Sequence, residues 1–429
     1  MPYRYRMLGL LFLLSIITYL DRVCISVSGK RMQDELSLST EQWGWIIGAF
    51  TISYAAFEIP AGVWGDKYGP RNILTRIVLW WSAFTALTGL ASNYYVLLAT
   101  RFFFGAGEAG AYPNISATVS RWFPVHERAR AVGITWMASR LGGALSPLLV
   151  VPIQQTYGWR ATFFVFGAVG VVWCAWWWLY ARDNPRDKAG ISEEELELIG
   201  APKVTAAHVS LPWKEVMRSR NFWMILAMYH TYCWGSYFYL GWLHTYLQRG
   251  RGFSEDEMKL WSTLPFLCGA CGNLAGGLAS DHLSKRYGLK IGRRVIGSAG
   301  LALSGLFMLG TSQVESKELA VIFLALGYGS MDCMLPVSWA VCMDVGKKYA
   351  GAVSGSMNMA GQVGSFASTV LFGYMITWFG GSYNKPLIPL ACMLLVSAVL
   401  FTMIDPTEQL VKEKAHTPQP EPEPEPVLA

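Results

Sequence analysis

An arginine and a glutamate stand seven residues apart inside an apolar stretch, Arg101-Phe-Phe-Phe-Gly-Ala-Gly-Glu108. Seven helical residues are two turns, so both side chains project the same way, about 10 Å apart along the axis. A second ionisable couple, Asp21-Arg22, lies toward the end of the first apolar stretch. Charges at membrane depth are costly and face a partner or a water-filled cavity. Arginine stays charged and forks onto a carboxylate through two parallel hydrogen bonds. A buried Asp or Glu can take up and release a proton. Together these groups have the chemistry to bind an anion and move protons through a bilayer.

The magnitudes support that coupling. Two unit charges 4 Å apart at an effective dielectric near 20 interact by about 4 kcal/mol. That is roughly a thousandfold in proton occupancy. An arriving anion can therefore load a proton onto a nearby acid without touching it. Adjacent helical residues point about 100° apart, so Asp21 can face Arg101 while Arg22 faces a central cavity. Arg140 reads as a second cavity cation that favours a dianion, unless Asp332 faces inward and ionised to offset it. Glu58 and His244 are further ionisable residues in apolar stretches. The competing reading of each is a static ion pair or a vestibule residue.

The surrounding elements follow from composition. The 429-residue chain is 53% hydrophobic and 15% charged, against about a quarter charged for a soluble domain. Twelve helical spans fit, from residues 7–28 to 383–404, because lipid leaves every backbone group to be satisfied internally. They divide into an N-terminal bundle (1–181), a polar linker (182–220) and a C-terminal bundle (221–404). Residues 405–429, ending in alternating Pro and Glu, are expected to be a disordered tail. Within the linker, Ser192-Glu-Glu-Glu195 reads as a capped helix start. Most of the 35 Lys and Arg fall in the linker, the termini and the even-numbered connections, which places both termini in the cytoplasm. The same distribution accounts for the net charge of +6 without nucleic acid as a partner. The run Trp173-x-x-Trp176-Trp-Trp178 is expected to face lipid or its interface.

Eight cysteines all lie in apolar segments, where Cys acts as a small hydrophobe. Cys268-x-x-Cys271 has no second pair to complete a metal site. No cofactor, metal or catalytic residue is expected.

The halves echo each other. Gly62-x3-Asp66-x2-Gly69-x-Arg71 recurs as Gly277-x3-Asp281-x2-Ser284-x-Arg286. A parallel repeat suits a transporter with its substrate between two bundles. An acid such as Asp66 can bond free amides at a helix N-terminus, so these loops read as gates.

Four stretches carry a family resemblance: Tyr19-Leu-Asp21-Arg22; Gly62 to Arg71; Arg101 to Pro113, followed by Arg121-Trp-Phe-Pro-Val-His-Glu-Arg128; and Met357-Asn358-Met-Ala-Gly361. The chain resembles the major facilitator superfamily, and within it the anion:cation symporters of sugar acids. The resemblance covers roughly residues 7–404. It implies an all-α, polytopic fold of twelve transmembrane helices in two six-helix bundles. It implies Asp21 and Glu108 as proton-carrying acids, with Arg101 as their partner. Arg22 would grip the substrate's carboxylate, and Tyr19, Tyr54, Trp339 and Asn358 would line the cavity. Departures from the pattern stand at Glu58, Arg140, His244 and Asp332.

The expected function is proton-coupled symport of a small organic anion, a hexuronate, aldonate or aldarate, through the inner membrane by a monomer. Membrane lipid and the anion are the expected partners. An efflux antiporter would usually have a less cationic cavity. A non-transporting sensor would carry an added signalling domain.

Overall fold

The computed structural model describes residues 2–200 and 212–411, and among them no strand occurs. The side-chain surroundings at 59, 62, 63, 66, 125, 126, 129 and 348 lie outside that description, as does the part of the expected tail from 412 onward. Residues 405–411 of that tail are not disordered, since the Asp405 amide donates to Asn221 at 2.9 Å and the amide of buried Leu410 donates to the Val345 carbonyl at 3.1 Å. The first half of the chain runs through α1 (Tyr3–Val27), α2 (Gly29–Glu35), α3 (Thr40–Tyr68), α4 (Pro70–Thr88), α5 (Tyr94–Glu108), α6 (Ala111–Trp122), α7 (Val125–Tyr157) and α8 (Trp159–Tyr180). Two short helices, α9 (Glu193–Ile199) and α10 (Trp213–Val216), belong to the connection. The second half holds α11 (Arg220–Gly241), α12 (Leu243–Thr245), a π-helical turn (Tyr246–Gly250), α13 (Glu255–Trp261), α14 (Thr263–Tyr287), α15 (Leu289–Gln313), α16 (Lys317–Asp332), α17 (Met334–Gly346), α18 (Ala350–Trp378) and α19 (Leu387–Met403).

Among the described residues, five stretches are long and apolar enough to cross a bilayer: Tyr3–Val27, Arg130–Tyr157, Trp159–Tyr180, Leu289–Gln313 and Lys317–Gly346. α3 and α18 press together across the two halves. A Cβ on Gly44 would come 2.8 Å from the Thr369 carbonyl oxygen, so the backbones meet there only because Gly44 has no side chain.

Local signals set the boundaries. Ser39 with Gln42, and Ser254 with Glu257, form reciprocal capping boxes at the starts of α3 and α13, each satisfying two otherwise free amides. Ser192 caps α9 as its sequence indicates. The Glu195 carboxylate then receives the Tyr3 and Arg4 amides at 3.0 and 2.9 Å, tying the connection to the start of α1.

Two of the expected spans, the fourth and the tenth, break immediately after an acid; the seventh (221–247) and eighth (258–281) also break, at Trp242 and Ser262. The fourth stops at Glu108, and Gly110 takes φ 86° before α6 begins. A Cβ on Gly110 would also lie 2.4 Å from that of Ala61. The tenth span breaks at Cys333, directly after Asp332. Pro336 contributes there, because its nitrogen cannot donate to the Asp332 carbonyl.

The repeated loop also shifts register. The turn made by Gly69 (φ 83°) is made in the second half by Gly288 (φ 88°), one helical turn beyond Ser284. The tryptophan run corrects the lipid-facing expectation by half. Trp176 and Trp178 are exposed. Trp173 and Trp177 are buried, stacked with ring centres 5.1 Å apart, and donate to the Leu10 and Arg71 carbonyls. Their spacing of four puts them on one inward helix face.

Candidate functional site

A cavity of about 750 Å³ lies between the halves. α1 supplies Tyr19 and Arg22, α3 supplies Tyr54 and Glu58, and α7 supplies Trp136 and Arg140. From the second half come Tyr229, Tyr232 and Tyr237 on α11, Trp339 on α17, and Asn358 and Gln362 on α18. The cavity continues past Trp213, Ser354 and Gly351 toward the end where the basic loops gather.

The opposite end is shut by contacts between the halves. Arg31 forks onto Glu255 at 2.8 and 2.6 Å. Arg249 bonds Asp34, Gln154 bonds Glu255, and the Trp45 indole donates to the Tyr374 hydroxyl at 3.2 Å. Deeper in, the Ser26 hydroxyl pairs with His244 Nδ1 at 2.9 Å, so His244 is a buried contact between halves and not a vestibule residue.

The charged groups pair differently from expectation. Glu108 takes its hydrogen bond from Arg22 Nε, not from Arg101. Because α5 ends at Glu108, the carboxylate sits at a helix break, where it meets α1. Arg22 is also surrounded by the rings of Tyr19, Phe50 and Tyr54, 5.3, 5.2 and 4.9 Å from its guanidinium carbon. Its Nη2 has no partner among the described residues. Arg101 packs on the faces of Phe50 and Phe104, at 5.3 and 4.3 Å. Such cation–aromatic contacts hold a guanidinium without spending a carboxylate. Asp21 is buried, and neither of its carboxylate oxygens has a hydrogen-bond partner among the described residues.

Arg140 is not the free cation expected. Its Nε and Nη2 donate to the two oxygens of Asp332 at 2.6 and 2.9 Å. The pair is buried and joins α7 to the end of α16, so it bridges the halves. Arg22, Arg101 and Arg140 thus share this region with Asp21, Glu58, Glu108 and Asp332, all buried. With every group ionised the acids outnumber the cations. With Asp21 and Glu108 protonated, three arginines face two ionised acids, a difference that a monoanion balances, so the argument for a dianion does not follow.

The described gating side chains contact their own half or the connection that follows it. The Asp183 carboxylate accepts the Arg71 amide at 2.9 Å, and the Arg71 guanidinium lies over Trp178. Asp281 pairs with Arg293, which also reaches Asp344. The Arg286 guanidinium stacks on Tyr287. The side chain of Asp66 and the surroundings of Gly62 lie outside the described residues.

Several lining residues escape a sequence reading. Tyr229, Tyr232 and Tyr237 share a face of α11, with spacing of three then five that a search for charges overlooks. Gln362 lies one turn beyond Asn358, and that spacing was a usable signal. Tyr112 stacks on Trp136 at 4.4 Å, and Trp136 meets Trp339 at 6.0 Å, an aromatic contact between halves.

A central cavity between two helical halves, open at one end, is the arrangement of a known family whose sequence model, "Major Facilitator Superfamily", matches residues 11–369. The chain belongs to the major facilitator superfamily. It is a polytopic membrane transporter of that superfamily and not an enzyme. A "Probable sulfoacetate transporter" of Cupriavidus necator is 35% identical over 94% of each chain. A "Probable galactarate/D-glucarate transporter" of Escherichia coli is 30% identical over 94% of each. The "Hexuronate transporter" of Bacillus subtilis is 29% identical over 86% of this chain and 87% of its own. In fold, the chain matches a bacterial homolog of the human lysosomal transporter Spinster, solved in an inward-facing, unoccupied conformation. The TM-score is 0.77 at 20% identity, covering 94% of this chain and 97% of that one.

Proposed function

We propose that this protein is a proton-coupled symporter of a small organic anion, a sugar acid in class, working by alternating access between residues 1–181 and 221–404. The observation that carries the reading is the Arg22–Glu108 pair at the cavity beside the unpartnered Asp21. Arg22 receives the substrate's anionic group through the part of its fork that Glu108 leaves free. As the anion arrives, Glu108 and Asp21 gain a repelling neighbour, and proton uptake relieves it. The charge balance points the same way. A region with more acids than arginines accepts an anion only after protons have entered.

Tyr19, Tyr54, Trp339 and Asn358 contact the body of the substrate. Arg140 acts chiefly through Asp332, holding the halves in register. Arg101 keeps a fixed positive charge near Asp21. Gly62, Asp66, Gly69, Arg71, Asp281 and Arg286 serve the gate at the basic end. The excess of Lys and Arg at that end supports a cytoplasmic placement for it and for both termini, in the inner membrane. The open cavity is then the inward-facing state.

The relatives named for hexuronate and for galactarate/D-glucarate support the sugar-acid class. The test is uptake into proteoliposomes from a panel of hexuronates, aldonates, aldarates and sulfonates, with and without an imposed pH gradient. Uptake of one class, stimulated by the gradient, is expected. Equal uptake with and without the gradient would remove the proton from the mechanism.

A further inference from the structure

Glu58 stands apart from the other buried acids. It lines the cavity and is 7% exposed. Its only hydrogen bond among the described residues comes from Asn358 Nδ2, which donates to Oε1 at 2.6 Å. Oε2 is buried with no donor among the described residues. Asp332 and Glu108 each have an arginine, whereas Glu58 has a neutral amide and one vacant acceptor. A buried acceptor left without a donor is costly, so the cavity carries a hydrogen-bonding requirement that the protein does not meet by itself. On α6, Asn114 repeats the pattern. Its Nδ2 donates to the Gly110 carbonyl at 2.8 Å, and its Oδ1 has no donor among the described residues.

We infer that Glu58 is a specificity residue that accepts a hydrogen bond from a hydroxyl of the substrate. The inference rests on the proposed anion transport and deepens it. An anionic headgroup has no hydrogen to give, so it belongs at Arg22. The group that meets Glu58 must be a donor on the body of the molecule. Asn358 fixes one oxygen of the carboxyl and leaves the other for the ligand. A site built around a substrate hydroxyl rejects the analogue lacking it far more strongly than an apolar pocket rejects a missing methylene, because its own acceptor is then stranded. The substrate class is therefore a hydroxylated acid, as opposed to a short sulfonate or carboxylate bare of hydroxyls.

Matched acids test this. Galactarate and adipate are six-carbon diacids that differ only in hydroxyls; gluconate and hexanoate are the corresponding monoacids. Binding to the full-length detergent-purified protein is measured by titration calorimetry, with a fluorescence melt to confirm folding. Wild type should favour the hydroxylated member of a pair. In Glu58→Met that preference should fall by about 10- to 100-fold, the size of a hydrogen bond to a charged group. Glu58→Gln keeps a hydrogen-bonding end and should retain most of it. An unchanged ratio in Glu58→Met overturns the inference. If that variant does not fold, a wild-type ratio near one does so instead. A wild-type preference for 2-aminoadipate over 2-hydroxyadipate that disappears in Glu58→Gln would also overturn it, since Glu58 would then be reading a cation. Uptake of sulfoacetate with no binding of galactarate or gluconate would refute the hydroxyl reading and leave anion transport standing. No uptake of any anion would refute the underlying function.

Discussion

Replacing Asp332 with Asn strands Arg140. Both oxygens of Asp332 are engaged, at 2.6 and 2.9 Å, and the two side chains are 0% and 4% exposed. Two unit charges 4 Å apart at an effective dielectric near 20 attract by about 4 kcal/mol. Removing one member of a buried pair typically costs about 3–5 kcal/mol, because the other charge is left uncompensated. Asp332→Asn should therefore be destabilised by about that much. The double variant Arg140→Gln/Asp332→Asn strands no charge and should recover most of the loss. The residues sit on α7 and α16, in opposite halves, so the single change should also loosen the closed packing above the cavity. The assay is a double-mutant cycle on thermal melting in detergent, read beside cysteine labelling from both ends. Additive losses in the double variant would refute the coupling. So would an Asp332→Asn protein as stable as wild type.

Other outcomes follow from the same geometry. Arg22→Lys keeps the charge but loses the planar fork that serves Glu108 and the anion together. Carboxylate uptake should fall by an order of magnitude or more, and near-normal uptake would show that shape is not read. Gly110→Ala forces a side chain into φ 86° and against Ala61; a loss of at least about 1 kcal/mol is expected in melting experiments, and none should appear at Gly355, a helical glycine of α18 where an added Cβ would meet nothing within 4 Å. Glu255→Gln removes the negative charge and one of the two acceptor oxygens of the Arg31 fork at the closed end, and should raise labelling of a cysteine placed in that vestibule. An unchanged labelling ratio would count against Arg31–Glu255 as a closing contact.

Much of this molecule is legible in its residues. Apolar runs bounded by basic loops give the order and length of the spans. Arg22, Asp21 and Glu108 stand out because charge in such runs is rare. The partners do not stand out. Arg22 and Glu108 are 86 residues apart, and Arg140 and Asp332 are 192 apart, so only packing decides which acid meets which arginine. Arg101 and Glu108 share a helical repeat, yet the break at Gly110 puts Glu108 at a helix end beside α1. That break had a signal, Ala-Gly-Ala shortly before Pro113. Trp173 and Trp177 were similarly readable as one inward face from their spacing of four. Composition alone hides it, since tryptophan suits both a lipid interface and a packed helix contact.

The central claim is that buried acids beside Arg22 tie anion movement to protons. It is tested most directly in proteoliposomes that carry wild type, Asp21→Asn or Glu108→Gln, with the transported acid identified from the panel. Accumulation is driven by an imposed pH gradient, and exchange of labelled for unlabelled substrate is followed without one. The wild-type protein should accumulate substrate above its outside concentration. Both variants should lose that accumulation while still exchanging or binding substrate. Gradient-driven accumulation at the wild-type level in both variants would contradict the account.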